Sequence, residues 1–523
     1  MSNNRQGFDQ KQKKSGVLKP IIQFGLISGP FLSMVDSSVV NIALPVISSG
    51  FNSSLSSAQW ILSGYLLALA AFLPVSAFLS KRFGARKVYF WSIVGFTTSS
   101  FLCALSPNLS SLIVTRVLQG ALGAPLVPVA MDMLFRKGVV PGVSNQSSSE
   151  AQLSPLLGMV LFLAPALGPT LGGFLIGFFS WPSIFLINIP IGIVAGLTVQ
   201  RYRHELDEKN KGSSIIIFDF PGSILLSLGL VLAIYGATEA PLIGWLSIQT
   251  LPFILVGFFL LAAYVIWALK RQNPAVNIKL IRHAQTALSL GISILASIVL
   301  FGVLFLLPVF MESFQGLSSL VTGLALLPQG LVTGVGTVFS SKLSGKLGTR
   351  FTVGLGMGIL TITTAALLFL NTSTSVYVTA AILSGRGLAL GLTIQPLLLA
   401  TVGSLPREEV SDGNTLFNIL ERLGGTIGVS LLSTVFSLRE QVRIGQVLAI
   451  TGIIRSQLPS GLGDSSSFLS SLPPAIQVEL TKAAVGGFHD TIALMSLVSL
   501  VGLGLALFIK DASRNPPANN EAM

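Results

Sequence analysis

From Ile21 to Ile509 the chain is a succession of apolar stretches, most of them about twenty residues long, separated by short polar breaks. About 20 apolar residues cross the ~30 Å hydrocarbon layer as a helix. Lipid offers the backbone no hydrogen-bond partners, so a chain of this pattern folds as helices that satisfy themselves. The runs give about fourteen candidate spans by this rule, among them 21–47, 57–80, 109–135, 151–179, 181–200, 413–437 and 488–509. Trp181 and Pro182 divide what otherwise reads as one long span, because proline ends helices and tryptophan prefers the interface. Charged residues are only 10% of the chain, against roughly 25% in soluble domains, and mean hydropathy is +0.78. The expectation is an all-α polytopic membrane protein.

The formal charge of +12 does not point to nucleic acid, because the basic residues are confined to short connections. Of 32 Lys and Arg, 25 fall in the two tails and in the alternate loops on the same side, such as "KRFGARK" and "KLSGKLGTR". The positive-inside rule puts that side, with the tails 1–20 and 511–523, in the cytoplasm of a multi-pass protein of the cytoplasmic membrane. Enzymatic chemistry is not expected. Cys103 is the sole cysteine, and His204, His283 and His489 lack metal-ligand spacing. With no phosphate-binding loop, the expected energy source is the proton gradient, without a cofactor or metal.

The two halves echo each other. "AFLSKRFGARK" (77–87) corresponds to "KLSGKLGTR" (342–350), and "LIVTRVLQGALGA" (112–124) to "AILSGRGLALGL" (381–392). Such repeats mark secondary transporters, whose substrate path runs between the halves. The organisation is then a six-helix half at 21–200, a linker with two extra spans at 201–284, and a second half at 285–510. An outer connection at 438–487 interrupts that second half. Within it "RIGQVLAITGIIRSQL" spaces Ile444, Val447, Ile450 and Ile454 as an interfacial helix would.

The motifs in the first half resemble those of the major facilitator superfamily, specifically its 14-helix drug:proton antiporter branch of EmrB/QacA type. "VDSSVVNIALP" (35–45) is similar to that branch's first-span signature, with Ser38 where threonine is usual. "RVLQGALGA" resembles its arginine motif, and "APALGPTLGG" (164–173) its antiporter motif, with Ala164 for the first glycine. "WPSIFLINIPIG" (181–192) matches the sixth-span pattern apart from Pro182 and Ser183. The resemblance implies the major facilitator fold, two six-helix repeats plus two central helices. It also assigns Gly168, Pro169, Gly172 and Gly173 to the antiporter motif, and Lys81, Arg82, Gly84 and Arg86 to a cytoplasmic gating loop. Lys81 stands where the family has an aspartate that latches the halves; Asp132 and Glu150 are the candidate substitutes.

The acid inside the first span is the sharpest chemical signal. At 1.5 Å per residue Asp36 lies roughly 22 Å above the cytoplasmic end, and Arg116 about 10 Å below the outer face. Those depths nearly coincide in a ~30 Å layer. Arginine stays protonated, so the carboxylate is the titrating partner, and intramembrane acids are functional by default. Glu421, beside Arg422, is a second proton-coupling candidate; the two could pair with each other, or Glu421 could bind cations. Asn41, Gln119, Arg386 and Glu312 are candidates for the substrate cavity, with Arg386 the repeat counterpart of Arg116.

The expected function is export of small amphipathic or cationic compounds in exchange for protons. A specific metabolite exporter or importer on the same fold, or a non-transporting sensor, are the alternatives. The partners expected are the substrate, protons and the bilayer. An adaptor and outer-membrane channel could dock outside in a two-membrane host, and the protein itself is expected to be a monomer.

Overall fold

The computed structural model describes residues 20–53, 55–136, 167–168, 171–206, 219–272, 274–403, 405, 409–451 and 474–510. In the first half the helices are α1 (Pro20–Gly50), α2 (Leu55–Phe83), α3 (Ala85–Ala104), α4 (Leu109–Gly123), α5 (Leu126–Arg136), α6 (Ser183–Leu186) and α7 (Asn188–Arg201). Helical residues 167–168 and 171–178 are described parts of the fifth span. The central pair is α8 (Phe220–Ile243) and α9 (Leu251–Lys270). The second half holds α10 (Ala284–Val309), α11 (Ser319–Leu347), α12 (Thr349–Ala366), α13 (Val376–Gly403), α14 (Val410–Thr451) and α15 (Pro474–Ala506). Among the described residues, ten helical stretches are long and apolar enough to cross a membrane.

The breaks follow from local chemistry. The fourth span divides into α4 and α5 at Ala124 and Pro125, because proline at 125 removes a backbone donor. Before α4, Asn108 forms a reciprocal capping box: Ser111 N donates to Asn108 Oδ1 at 2.8 Å, and the Asn108 backbone N–H donates to Ser111 Oγ at 3.3 Å. The break expected at 179–182 is present, with Pro182 just ahead of α6. Asp219 caps α8 by accepting from Gly222 N at 3.1 Å. It also accepts from Trp267 Nε1 at 2.9 Å and Ala275 N at 3.1 Å, so it pins the end of α9 and the following loop to α8.

Two boundaries need correction. The thirteenth span, expected to end at 437, continues as one 42-residue helix to Thr451, and the last helix begins at Pro474 rather than 488. The interfacial helix expected in the 438–487 connection is therefore, as far as it is described, the C-terminal end of α14. Its Ile444 and Val447 pack with Ile476 and Phe314 around buried Leu480 and Ala484 of α15. The Ile450 side chain and Ile454 lie outside the described residues. Arg439, Glu440 and Arg443 end the hydropathy signal without ending the helix. At 1.5 Å per residue α14 is ~63 Å long, about twice the ~30 Å hydrocarbon layer.

The first half packs α1 on α7, α2 on α4, and α3 on α4 and α7; the second packs α11 and α12 on α13, and α14 on α10 and α15. Small residues bring the backbones close. A Cβ at Gly120 would strike the Tyr65 carbonyl oxygen, and one at Gly387 the Gln329 carbonyl oxygen. Contacts between halves come from α14 against α2 and α5, including Asn414 Nδ2 donating to Pro128 O at 3.3 Å. Helix α8 lies along the same seam, touching both α2 and α14. Its Tyr235 ring meets Trp60 at 5.6 Å, and Trp245, in the turn after α8, donates to Thr434 Oγ1 at 2.7 Å.

The repeat extends to register. One interval maps the start of α2 onto the start of α11, and the start of α3 onto that of α12. The same interval relates Gly84 to Gly348, both at positive φ (88° and 94°), where a side chain would be strained. It also relates Tyr65 to Gln329, and Ser100 to Thr364.

Candidate functional site

Asp36 and Arg116 are both fully buried, and Arg116 Nη1 donates to Asp36 Oδ2 at 2.5 Å. The other carboxylate oxygen, Oδ1, accepts from Gln119 Nε2 at 3.2 Å and from Asn188 Nδ2 at 2.9 Å. Gln119 sits one helical turn beyond Arg116, so its Oε1 accepts from Arg116 Nη1 at 2.7 Å while its amide reaches the acid. Ser100 Oγ gathers both amides, accepting from Gln119 Nε2 (3.0 Å) and Asn188 Nδ2 (2.9 Å), and donates to Phe185 O at 3.1 Å. Cys103 Sγ donates to Gln119 Oε1 at 3.6 Å.

The guanidinium is held from other sides too. Arg116 Nε donates to Ile61 O at 3.2 Å, and its carbon lies 4.1 Å from the Tyr65 ring centroid and 5.6 Å from that of Phe185. Tyr65 OH is hydrogen-bonded to Ser33 Oγ at 3.1 Å, back on α1. Six helices, α1 to α4, α6 and α7, thus converge on one ion pair. In a low-dielectric interior a buried pair persists only when further hydrogen bonds satisfy both ions. This carboxylate accepts from three donors, while Arg116 Nη2 has no acceptor among the described residues.

Such a site can change state. Moving Arg116 or either amide away removes donors from the carboxylate, so a rearrangement of the helices changes the hydrogen bonding of Asp36.

Sequence reasoning assigned Asp36 and Arg116 by depth, and the structure brings them together. Gln119, expected to line the substrate cavity, is fully buried and bonded to both members of the pair. Asn188, Ser100 and Tyr65 were missed. The usable signal for Asn188 was an amide inside the apolar stretch "FLINIPIG". The Asn41 side chain and Pro169 lie outside the described residues. Gly168 is close to the pair, since a Cβ there would strike Ser38 Oγ and come within 2.9 Å of Val39 N, on the turn after Asp36. Gly172 is buried, and Gly173 faces Leu320 of α11.

The other candidates are dispersed. Among the described residues no hydrogen bond or ion pair joins Glu421 to Arg422. Glu421 is half-buried on α14, and Arg422 lines a narrow cleft with Leu73 of α2 and Leu230 and Ile234 of α8. Arg386 is fully buried, whereas Glu312 is exposed in a π-helical turn that follows the C-terminal end of α10. In the gating loop the Lys81 side chain lies outside the described residues, Arg82 is exposed beside Phe83, and Arg86 Nη1 donates to Gln200 Oε1 at 3.4 Å. Asp132 is buried on α5, and Glu150 is outside the described residues.

Comparison with known proteins agrees with this architecture. The chain is 28% identical over 486 residues to the Multidrug resistance protein B homolog of Mycobacterium tuberculosis, covering 91% of this chain and 86% of that one. It is 27% identical over 448 residues to the Multidrug export protein EmrB of Escherichia coli, covering 84% of each. Among solved structures, the human organic anion transporter MFSD10 superposes with a TM-score of 0.57 at 14% identity, covering 94% of this chain and all of that one. Residues 26–429 match the Major Facilitator Superfamily, and the chain belongs to that family of membrane transporters.

Proposed function

We propose that the protein is a proton-coupled exporter of small amphipathic or cationic drugs and toxic compounds across the cytoplasmic membrane. The observation that carries this reading is the buried Asp36–Arg116 pair with its three carboxylate donors. Facing outward, Asp36 takes up a proton and loosens its hold on Arg116, Gln119 and Asn188. Facing inward, it releases the proton and the network re-forms as substrate binds. Coupling requires only that proton and substrate favour different states. The gradient is an adequate drive: ~2.3 kcal/mol per charge per 100 mV and ~1.4 kcal/mol per pH unit.

The similarity to relatives named for multidrug resistance and multidrug export supports the substrate class. Gly168 seated against Ser38 beside the acid supports a seal that limits proton leak. Both chain ends face the cytoplasm in this reading, Glu421 is a second protonation site, and no cofactor is used. The outer ends of α14 and α15 are the surface on which an adaptor would dock in a two-membrane host, and the transporter itself works as a monomer.

The test is purified protein in liposomes with an imposed pH gradient, using ethidium as the probe. The parent is expected to release protons as ethidium moves, and Asp36→Asn to lose that proton flux. Equal exchange by Asp36→Asn and the parent would overturn the assignment.

A further inference from the structure

The helix that carries Asp36 has a gap in its own hydrogen-bond ladder. Pro30 lies inside α1 and has no N–H, so the carbonyl of Leu26, four residues earlier, loses its backbone donor. The hydroxyl of Tyr89, from α3, fills that gap. Tyr89 OH donates to Leu26 O at 2.5 Å, lies 3.0 Å from Gly25 O, and accepts from Gly29 N at 3.0 Å. Tyr89 is fully buried, and its one oxygen serves the backbone of another helix on both the donor and the acceptor side. Glycine makes the insertion possible. A Cβ at Gly29 would come within 2.5 Å of that hydroxyl and 2.9 Å of its ring, and one at Gly25 would strike Thr198 of α7.

The gap separates two anchored stretches of α1. Before it, Gly25 is seated on Thr198. After it, Ser33 Oγ is hydrogen-bonded to Tyr65 OH at 3.1 Å. Asp36, six residues or ~9 Å beyond Pro30, then meets Arg116, Gln119 and Asn188. Helices bend where proline interrupts the ladder or where a side chain inserts into it. Both causes coincide at Gly29–Pro30, less than two turns from the acid.

We propose that Tyr89 is a positioning residue for the proton site. Its hydroxyl fixes the bend of α1 at Gly29–Pro30, that bend sets Asp36 against Arg116, and α1 flexes there when the pair opens. Without the hydroxyl, Leu26 O loses its donor and Gly29 N loses this acceptor. Buried backbone groups left unpaired are costly, and α1 relieves the cost by changing its bend, which carries Asp36 out of register with its partners. This inference rests on the exporter reading and adds to it a residue outside the ion-pair network.

The test removes one oxygen in two backgrounds. Tyr89→Phe keeps the ring, and Pro30→Ala returns a backbone N–H that serves Leu26 O. Proton release coupled to ethidium movement is read in liposomes against ethidium concentration for the parent, both single variants and the double variant. In the parent background Tyr89→Phe is expected to lower the maximal rate roughly tenfold, the effect of one buried group left unpaired. The half-saturating ethidium concentration is expected to change less than about twofold, because the substrate contacts are untouched. In the Pro30→Ala background the same substitution is expected to cost less than about threefold, since the coupled partner is already supplied. A hydroxyl that serves packing alone would cost the same in both backgrounds.

Amide hydrogen exchange across 27–36 in nanodiscs needs no transport and decides the matter if Pro30→Ala is inactive. Tyr89→Phe is expected to quicken it by about fivefold or more in the parent background and by less than about twofold in Pro30→Ala. The inference is overturned if Tyr89→Phe keeps the parental maximal rate, if its cost is equal in the two backgrounds, or if exchange across 27–36 is unchanged. Failure of ethidium–proton exchange in the parent overturns the exporter reading instead, and the amide exchange then still tests the joint in α1.

Discussion

The Tyr65 ring lies beneath the Arg116 guanidinium, 4.1 Å from ring centroid to guanidinium carbon, so the cation of the buried pair rests on an aromatic face as well as on Asp36. A desolvated cation–π contact is worth about 2 kcal/mol, and the Tyr65 hydroxyl bond to Ser33 about 1 kcal/mol. Tyr65→Phe keeps the ring and is expected to lower stability by only ~1 kcal/mol. Tyr65→Ala also opens a cavity and is expected to cost ~3–5 kcal/mol, the range for large aromatic deletions. Tryptophan-fluorescence unfolding in detergent separates the two, and equal losses would mean that the ring itself contributes nothing.

Gly168 admits no side chain. An added Cβ would meet Ser38 Oγ, and it would also lie 2.7 Å from Ser38 Cβ and 2.9 Å from Val39 N, an atom that cannot rotate away. Gly168→Ala is therefore expected to push the fifth span off α1 and abolish ethidium efflux from cells. Trimming the hydroxyl does not cure this, so Gly168→Ala with Ser38→Ala is expected to remain inactive. Recovery in the double variant would show that the contact is only with the serine hydroxyl.

Asn188 bridges Asp36 and Ser100 from α7. Asn188→Leu keeps an apolar filling but removes both bonds, leaving a buried carboxylate oxygen with one fewer donor. Losing a hydrogen bond to a charged group costs ~1.5–3 kcal/mol, so transport driven by a pH gradient is expected to fall roughly ten- to hundredfold. Stopped-flow proton release during ethidium exchange measures it. Asn188→Gln, which can still reach, is expected to retain more activity than Asn188→Leu.

The spans were legible because lipid enforces one period and one length, and the acid was legible because hydropathy makes an intramembrane charge conspicuous. Asp36 and Arg116 could be placed at a common depth by counting residues along straight helices. Neutral members of the network escaped, since Ser100 and Tyr65 are ordinary residues for a membrane helix and gain meaning only from the helices facing them. Glu421 and Arg422 misled for the opposite reason: neighbours in sequence point to different sides of a helix. The C-terminal end of α14 was missed because charge ends a hydropathy run while helix propensity does not.

That end supplies the last prediction. There the bidentate Arg443–Asp490 pair at 2.8 and 3.0 Å and the apolar cluster around Leu480 and Ala484 both join α14 to α15. The pair is conspicuous, but its side chains are 42% and 30% exposed. An ion pair open to water is worth about 0–1 kcal/mol and is screened by salt. Leu480 is fully buried, and truncating a buried leucine to alanine costs ~2–5 kcal/mol. The apolar contact should therefore govern how tightly the projecting ends stay together. Amide hydrogen exchange along 440–447 reads local opening directly. Leu480→Ala is expected to speed exchange there roughly thirtyfold or more, since each ~1.4 kcal/mol is a factor of ten. Asp490→Asn is expected to change it less than about fivefold, and that small effect should vanish at high salt. A larger response to Asp490→Asn than to Leu480→Ala would show that the ion pair, and not the buried leucine, clamps the two helices.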